Sequence, residues 1–241
     1  MRSLCGGMSS EFLILGIIWY IVFLFSTTCH EGAHALTAKL GGDPTAALGG
    51  QVTLNPLPHI RREPMGTVVV PLITYAMFHW MMGWASAPFD PDWQRRHPHR
   101  AAWMALAGPA ANFTLMLLAG IGIHIGMALG YFQMPSSVGM SNVAQAAGPG
   151  MAEFFATVLS IVFVLNLVLG TFNLLPIPPL DGGTGVGVLM SEEMAVRFFD
   201  WTHSQGLGLL FLVVAWYGYD KIFGFIFTLA LNLLYPGSHW S

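Results

Sequence analysis

The chain has 241 residues, 54% hydrophobic and only 9% charged, with a formal net charge of −3. Soluble domains carry about 25% charged residues, so this composition excludes an ordinary soluble globule. The few scattered basic residues exclude a nucleic-acid surface, and two cysteines, Cys5 and Cys29, exclude a disulfide framework.

Apolar runs predict membrane segments at Phe12–Leu36, Thr67–Trp84, Ala101–Leu129, Phe154–Leu175 and Gly206–Tyr219, with a further stretch at Ile222–Tyr235. Most approach the ~20 residues that a spanning helix needs. The pattern predicts an all-α polytopic membrane protein with about five to six transmembrane segments, folded as a single membrane-embedded domain over residues 1–241. The N-terminus has one arginine and no small-residue cleavage site, so the first segment is expected to be retained. Trp80, Trp84, Trp93 and Trp103 fit an interfacial aromatic belt.

The first segment ends in His30-Glu31-Gly32-Ala33-His34. Ionisable groups at membrane depth are expensive and mark functional sites. On a helix, His30 and His34 lie one turn apart on one face, where two imidazoles can hold one Zn2+ ion. Glu31 stands beside that metal as general base. The residues therefore predict a zinc hydrolase that works inside a bilayer, with one Zn2+ per chain.

Gln51 to Leu54 alternates polar with apolar residues between Gly- and Pro-rich stretches, which predicts a short membrane-associated β-loop after the metal helix. Such backbone is tolerated at membrane depth only where protein or a water-filled cavity covers it.

A catalytic zinc takes three protein ligands and keeps one position for water. Asp181 is the third candidate, because it follows an apolar helix and the run Phe172 to Gly183. Pro176 ends that helix, and Gly182 and Gly183 let backbone pass close to the site. Asp90 and Asp92 fall in an Arg-rich loop, and Glu192, Glu193 and Asp200 in a polar connection.

Sidedness follows from charge. Lys39, Arg61, Arg62, Arg95, Arg96 and Arg100 all lie between the first segment and Ala101, whereas Gly130 to Glu153 has no Lys or Arg. The positive-inside rule makes the first group cytoplasmic and the second external. Thr67–Trp84 must then dip and return, or cross and come back. Ligands at one depth also require the first segment and Phe154–Leu175 to run parallel. Both lines place the N-terminus outside and the active site toward the cytoplasm.

These motifs resemble the site-2 protease family of intramembrane zinc metalloproteases, in the small bacterial type without a PDZ domain. His30-Glu31-Gly32-Ala33-His34 resembles its metal helix. Asn173 through Gly183 resembles its second signature, in which the Asp is the third zinc ligand. Gly108-Pro109-Ala110-Ala111-Asn112 matches a shorter motif between them. Gln51 to Ile60 and Gly83-Trp84-Ala85 resemble the small members. Relatives carry Asp-Pro-Ile-Gly after the loop histidine, where this chain has Arg61-Arg62-Glu63-Pro64-Met65-Gly66. The resemblance implies a bacterial cell membrane and a transmembrane protein substrate, cut in or near the bilayer.

Three further residues are candidate substrate contacts. Asn173, eight residues before Asp181, could hold substrate backbone or bridge two helices. Asn112 has the same two readings, with the structural one favoured. His59 could touch the substrate or be an ordinary interfacial histidine. The competing functional classes are a zinc-binding membrane protein without proteolysis, and a transporter using the His/Glu cluster as an ion path. A structural zinc site needs no Glu31, and a transporter would spread its ionisable groups along a route and show paired discontinuous helices.

Overall fold

A computed structural model describes residues 10–204, 206, 208–238 and 240; Cys5 lies outside them. The elements run α1 (Ser10–Leu40), α2 (Thr45–Leu48), α3 (Leu57–Arg62), a π-turn at Met65–Val69 leading into α4 (Val70–Phe78), α5 (Pro91–Arg96) and α6 (Pro98–Ala128). Then come β1 (Phe132–Gln133), β2 (Gln145–Ala146), α7 (Met151–Asn173), α8 (Asp181–Gly185), a 3-10 turn at Val186–Leu189, α9 (Glu192–Ser204) and α10 (Gly208–Leu234). Among the described residues, Ser10–Leu40, Pro98–Ala128, Met151–Asn173 and Leu210–Leu234 are long and apolar enough to cross a membrane. At 1.5 Å per residue, the 31 residues of α1 and of α6 outrun a hydrocarbon layer of about 30 Å. Each can therefore project its polar end past the bilayer.

Contacts between the helices fix their directions. His30 meets Asn112 while His34 meets Met104, so α1 and α6 are antiparallel. Gly122 faces Leu159, Gly120 faces Phe163 and Gly170 faces Phe113, so α6 and α7 are antiparallel too. Helices α1 and α7 therefore run parallel, the arrangement the ligand positions require. Glycines at these crossings admit close approach where lipid supplies no hydrophobic drive for association. Apolar packing centres on α6, α7 and the C-terminal half of α10, around Ile123, Val164, Leu167 and Leu231; a second cluster joins α1 to α7 through Trp19, Phe23, Ile161 and Leu165.

The region predicted as Thr67–Trp84 is a hairpin. Its helix climbs from Gly66 to Tyr75, whose hydroxyl donates to the Phe12 carbonyl near the start of α1. The chain then returns, and the Trp84 N–H donates to the Gly66 carbonyl at 3.1 Å. Gly83 lies so close to Gly66 that a Cβ there would come within 2.1 Å of that carbonyl oxygen.

Three expectations change. Gln51 to Leu54 forms bends without a paired strand. Local hydrogen bonds decide this: Thr53 Oγ1 accepts from the Asn55 N–H and Asn55 Oδ1 from the Leu57 N–H, turning the chain before a ladder can form. The sheet lies elsewhere, with β1 and β2 antiparallel in the register Phe132–Ala146 and Gln133–Gln145. The two C-terminal stretches are one helix, α10. Trp93 is no belt residue: it is 3% exposed and its indole donates to the Gly41 carbonyl at 3.0 Å.

Candidate metal centre

Helix α1 turns His30, Glu31 and His34 inward, and all three are buried. The two imidazoles stand edge to face, 4.6 Å between centroids, with their Nε2 atoms 3.0 Å apart. Glu31 offers its carboxylate within 4.8 Å of the imidazole ligand atoms.

Asp181 arrives from the other side. After α7 the chain makes successive turns from Leu174 to Leu180, with a cis bond between Pro178 and Pro179. Gly182 and Gly183 permit that compactness, though for a different reason than proximity to the metal site. A Cβ on Gly182 would lie 2.3 Å from the Leu174 carbonyl oxygen, and one on Gly183 would lie 2.8 Å from the Pro178 nitrogen. Folding back on the end of α7 sets Asp181 opposite the histidines. Its Oδ2 is 3.0 Å from His30 Nε2 and its Oδ1 is 3.3 Å from His34 Nε2. Burial would raise its pKa, but when the rings carry protons His34, and then His30, hold Asp181 well below the usual carboxylate range.

These groups are poorly matched to one another and well matched to a cation. The Met104 carbonyl, 2.7 Å from His34 Nδ1, can only accept, so that nitrogen carries a proton and the neutral ring has its lone pair on Nε2. His30 Nδ1 is likewise engaged, 2.6 Å from Asn112 Oδ1. Asp181 Oδ2 is buried without a hydrogen-bond partner, although it sits beside His30. When both imidazoles are neutral, two Nε2 lone pairs and an ionised carboxylate face one another, a donor set that a cation can occupy. Two N donors and one O donor are a catalytic zinc set with room for water.

Residues beyond the predicted three shape this site. Gly108 of α6 forms its floor: a Cβ there would lie 2.4 Å from His34 Nε2 and 2.5 Å from His30 Nε2. The sequence marks Gly108 only as the first residue of the Gly108–Asn112 motif, without showing that it faces the histidines. The Met104 carbonyl has no sequence signal at all, being backbone. Asn112 is fully buried, bonded to His30 and Asn166. Asn173 is the last residue of α7, separated from Asp181 by the turns, and its amide donates to the Leu169 carbonyl. His59, on α3, is 1% exposed; its Nε2 is 3.4 Å from the Thr53 carbonyl and its Nδ1 is buried without a partner. That same Thr53 carbonyl would lie 3.2 Å from a Cβ on Gly32, so the Gln51–Leu54 segment runs against the metal helix.

A buried two-histidine, one-carboxylate cluster with an adjacent glutamate, on helices long enough to span a bilayer, defines an integral membrane zinc metalloprotease. The chain belongs to Peptidase family M50, whose profile matches residues 18–213. It is similar to "Putative zinc metalloprotease YwhC" of Bacillus subtilis (strain 168), with 38% identity over 195 residues covering 80% of this chain and 77% of that one. It is also similar to "Putative zinc metalloprotease Rip2" of Mycolicibacterium smegmatis, with 31% identity covering 66% of this chain and 52% of that one. No solved structure matches.

Proposed function

We propose that the protein hydrolyses peptide bonds in or near the transmembrane segments of other membrane proteins, with Zn2+ held by His30, His34 and Asp181 and with Glu31 as general base. The observation that carries this reading is the convergence of two imidazole Nε2 atoms and the Asp181 carboxylate within 3.3 Å. A zinc ion bound there lowers the pKa of water toward ~7 and polarises a carbonyl. Glu31, buried beside the histidines, takes the proton of the attacking water and delivers it to the leaving amine. His30 and His34 are held rigid by Asn112 and by the Met104 carbonyl, which limits reorganisation during attack.

A substrate helix must unwind before its scissile carbonyl is reachable. The Gln51–Leu54 segment, unpaired and pressed against Gly32, supports a docking edge for the extended chain. His59 braces that segment through Thr53, and Asn173 at the end of α7 is the candidate to hold substrate backbone. Asn112, sealed between His30 and Asn166, acts on the site through His30. Residues 1–241 function as one domain in a bacterial membrane, with the site toward the cytoplasm.

The test is bound zinc on purified protein together with cleavage of a single-span substrate. About one zinc per chain in wild type, lost in His34→Ala and Asp181→Ala, is expected. Glu31→Gln should keep its zinc and lose cleavage. Full zinc retention in Asp181→Ala would reassign the third ligand, and cleavage by Glu31→Gln would remove Glu31 as base.

A further inference from the structure

We infer that Asn166, on α7, is a positioning residue: through Asn112 it dictates which nitrogen of His30 faces the zinc. The inference rests on His30 being a ligand, as proposed above. Asn166, Asn112 and Ser26 are all 0% exposed, so no water can replace a missing partner in this chain of contacts.

The direction of every hydrogen bond follows from one backbone atom. Asn166 Nδ2 lies 2.8 Å from the Val162 carbonyl, which has no proton to give, so the amide nitrogen must be the group facing it. The second proton of Nδ2 goes to Ser26 Oγ at 2.9 Å. Asn166 Oδ1 is thereby the atom left for Asn112, and it accepts from Asn112 Nδ2 at 2.8 Å. Asn112 must then present its Oδ1 to His30 Nδ1 at 2.6 Å. An amide oxygen only accepts, so His30 Nδ1 carries a proton, and in the neutral ring the Nε2 lone pair faces Asp181 and His34. Without Asn166, Asn112 is free to rotate its amide and offer N–H to the ring. That would favour the tautomer with its lone pair pointing away from the metal.

Met104 does the same for His34 with a carbonyl that cannot flip. The His30 side needs three residues because its partner is an amide with two faces. Asn166 supplies the asymmetry and α7 supplies the fixed reference, which ties one zinc ligand on α1 to the helix that leads to another.

The measurement is Zn2+ affinity by chelator competition on the purified full chain in detergent, for wild type, Asn166→Leu, Asn112→Ala and the double variant. Loss of a group that orients a metal-binding histidine weakens affinity by about 10- to 100-fold, and Asn166→Leu is expected to lose about tenfold or more on that scale. The loss should vanish in the Asn112→Ala background, because Asn166 acts only through Asn112. A merely structural role would lower the melting temperature of the metal-free protein and leave zinc affinity alone. Unchanged affinity in Asn166→Leu, or equal losses in both backgrounds, overturns the inference. Absence of zinc binding in wild type instead overturns the ligand assignment beneath it. If Asn166→Leu does not fold, nitrogen-15 spectra of the histidines in metal-free wild type decide. A proton on Nδ1 of His30 is expected, and an Nδ1 without a proton overturns the inference.

Discussion

Gly108 shows how a residue with no side chain can control a metal site. His30 and His34, the proposed ligands, can turn their Nε2 atoms together only because α6 passes them without a Cβ at that turn. Gly108→Ala would put a methyl group 2.4 to 2.5 Å from both Nε2 atoms, well inside contact distance. Either α6 moves away or the rings rotate, and each also strains the bond between His30 and Asn112. Overpacking of this kind costs about 1–3 kcal/mol, so the variant should melt lower and bind zinc more weakly. Zinc content and thermal unfolding measured on the same preparation check both; wild-type values for the two would mean the site has slack here. The residues proposed as ligands stood out in the sequence, because His, Glu and Asp are rare in apolar segments and costly there. The roles of Gly108, Asn166 and the Met104 carbonyl did not. A glycine at a helix crossing looks the same whether it faces a leucine or a zinc ligand. Asn166 stands alone in the run Ile161–Gly170, a signal that something is paired with it but not what.

At the scale of elements, the metal helix is held at its far end by Asp43. This side chain is 1% exposed; its Oδ1 accepts from the Thr45 N–H and hydroxyl, and its Oδ2 from the Asp90 N–H at 2.8 Å. Trp93 and Arg100 add bonds to the Gly41 carbonyl, so the turn after α1 is pinned to α5 and α6. Burial works to raise the Asp43 pKa, but the Thr45 hydroxyl and the Asp90 and Thr45 N–H groups outweigh it and hold the carboxyl below its ordinary 3.8. A depressed folded pKa contributes stability above the unfolded value, and that contribution is lost as pH falls through the folded one. Asp43→Asn leaves an amide N–H facing the Asp90 N–H, an unmatched buried pair that costs about 1–3 kcal/mol. Its melting temperature should fall below that of wild type at about pH 7, and the gap should narrow toward about pH 3 as the wild-type carboxyl protonates. A gap that does not change with pH would mean the carboxylate charge plays no part. The long-range half of this latch was not visible in the sequence, since the Asp90 N–H is a backbone group 47 residues from Asp43. The bends at Gln51–Leu54 were missed because alternation records which way side chains point, and not whether a partner strand exists. In α10, Asp220 and Lys221 break the apolar run that reads as two segments, yet a helix tolerates an exposed pair of charges without breaking.

For the whole molecule, the hairpin and the parallel course of α1 and α7 give one consistent arrangement. Lys39, Arg95, Arg96 and Arg100 gather at the end of the bundle where α1 finishes and α6 begins, the end that also carries Asp181 and α9. The connection from Gly130 to Gly150 lies at the opposite end, where the Trp19 indole donates to Ser141. A hairpin that returns to its starting level leaves Arg61, Arg62 and Arg95 on one side, so the charge asymmetry and the chain path do not conflict. Charge asymmetry was the part of the whole-molecule layout that the sequence carried openly, because it depends on counting and not on packing. The orientation it implies is open to direct measurement. In a chain whose Cys5 and Cys29 are replaced by alanine, single cysteines are introduced at the exposed positions Ser137 and Ser191. A membrane-impermeant maleimide added to intact cells should label Ser137→Cys and spare Ser191→Cys until the membrane is opened. The reverse pattern would invert the protein, put zinc and Glu31 toward the outside, and require that substrates be cut from that face. Labelling of both in intact cells would mean that the two positions share a side, which an odd number of crossings between them, α7 alone, does not allow.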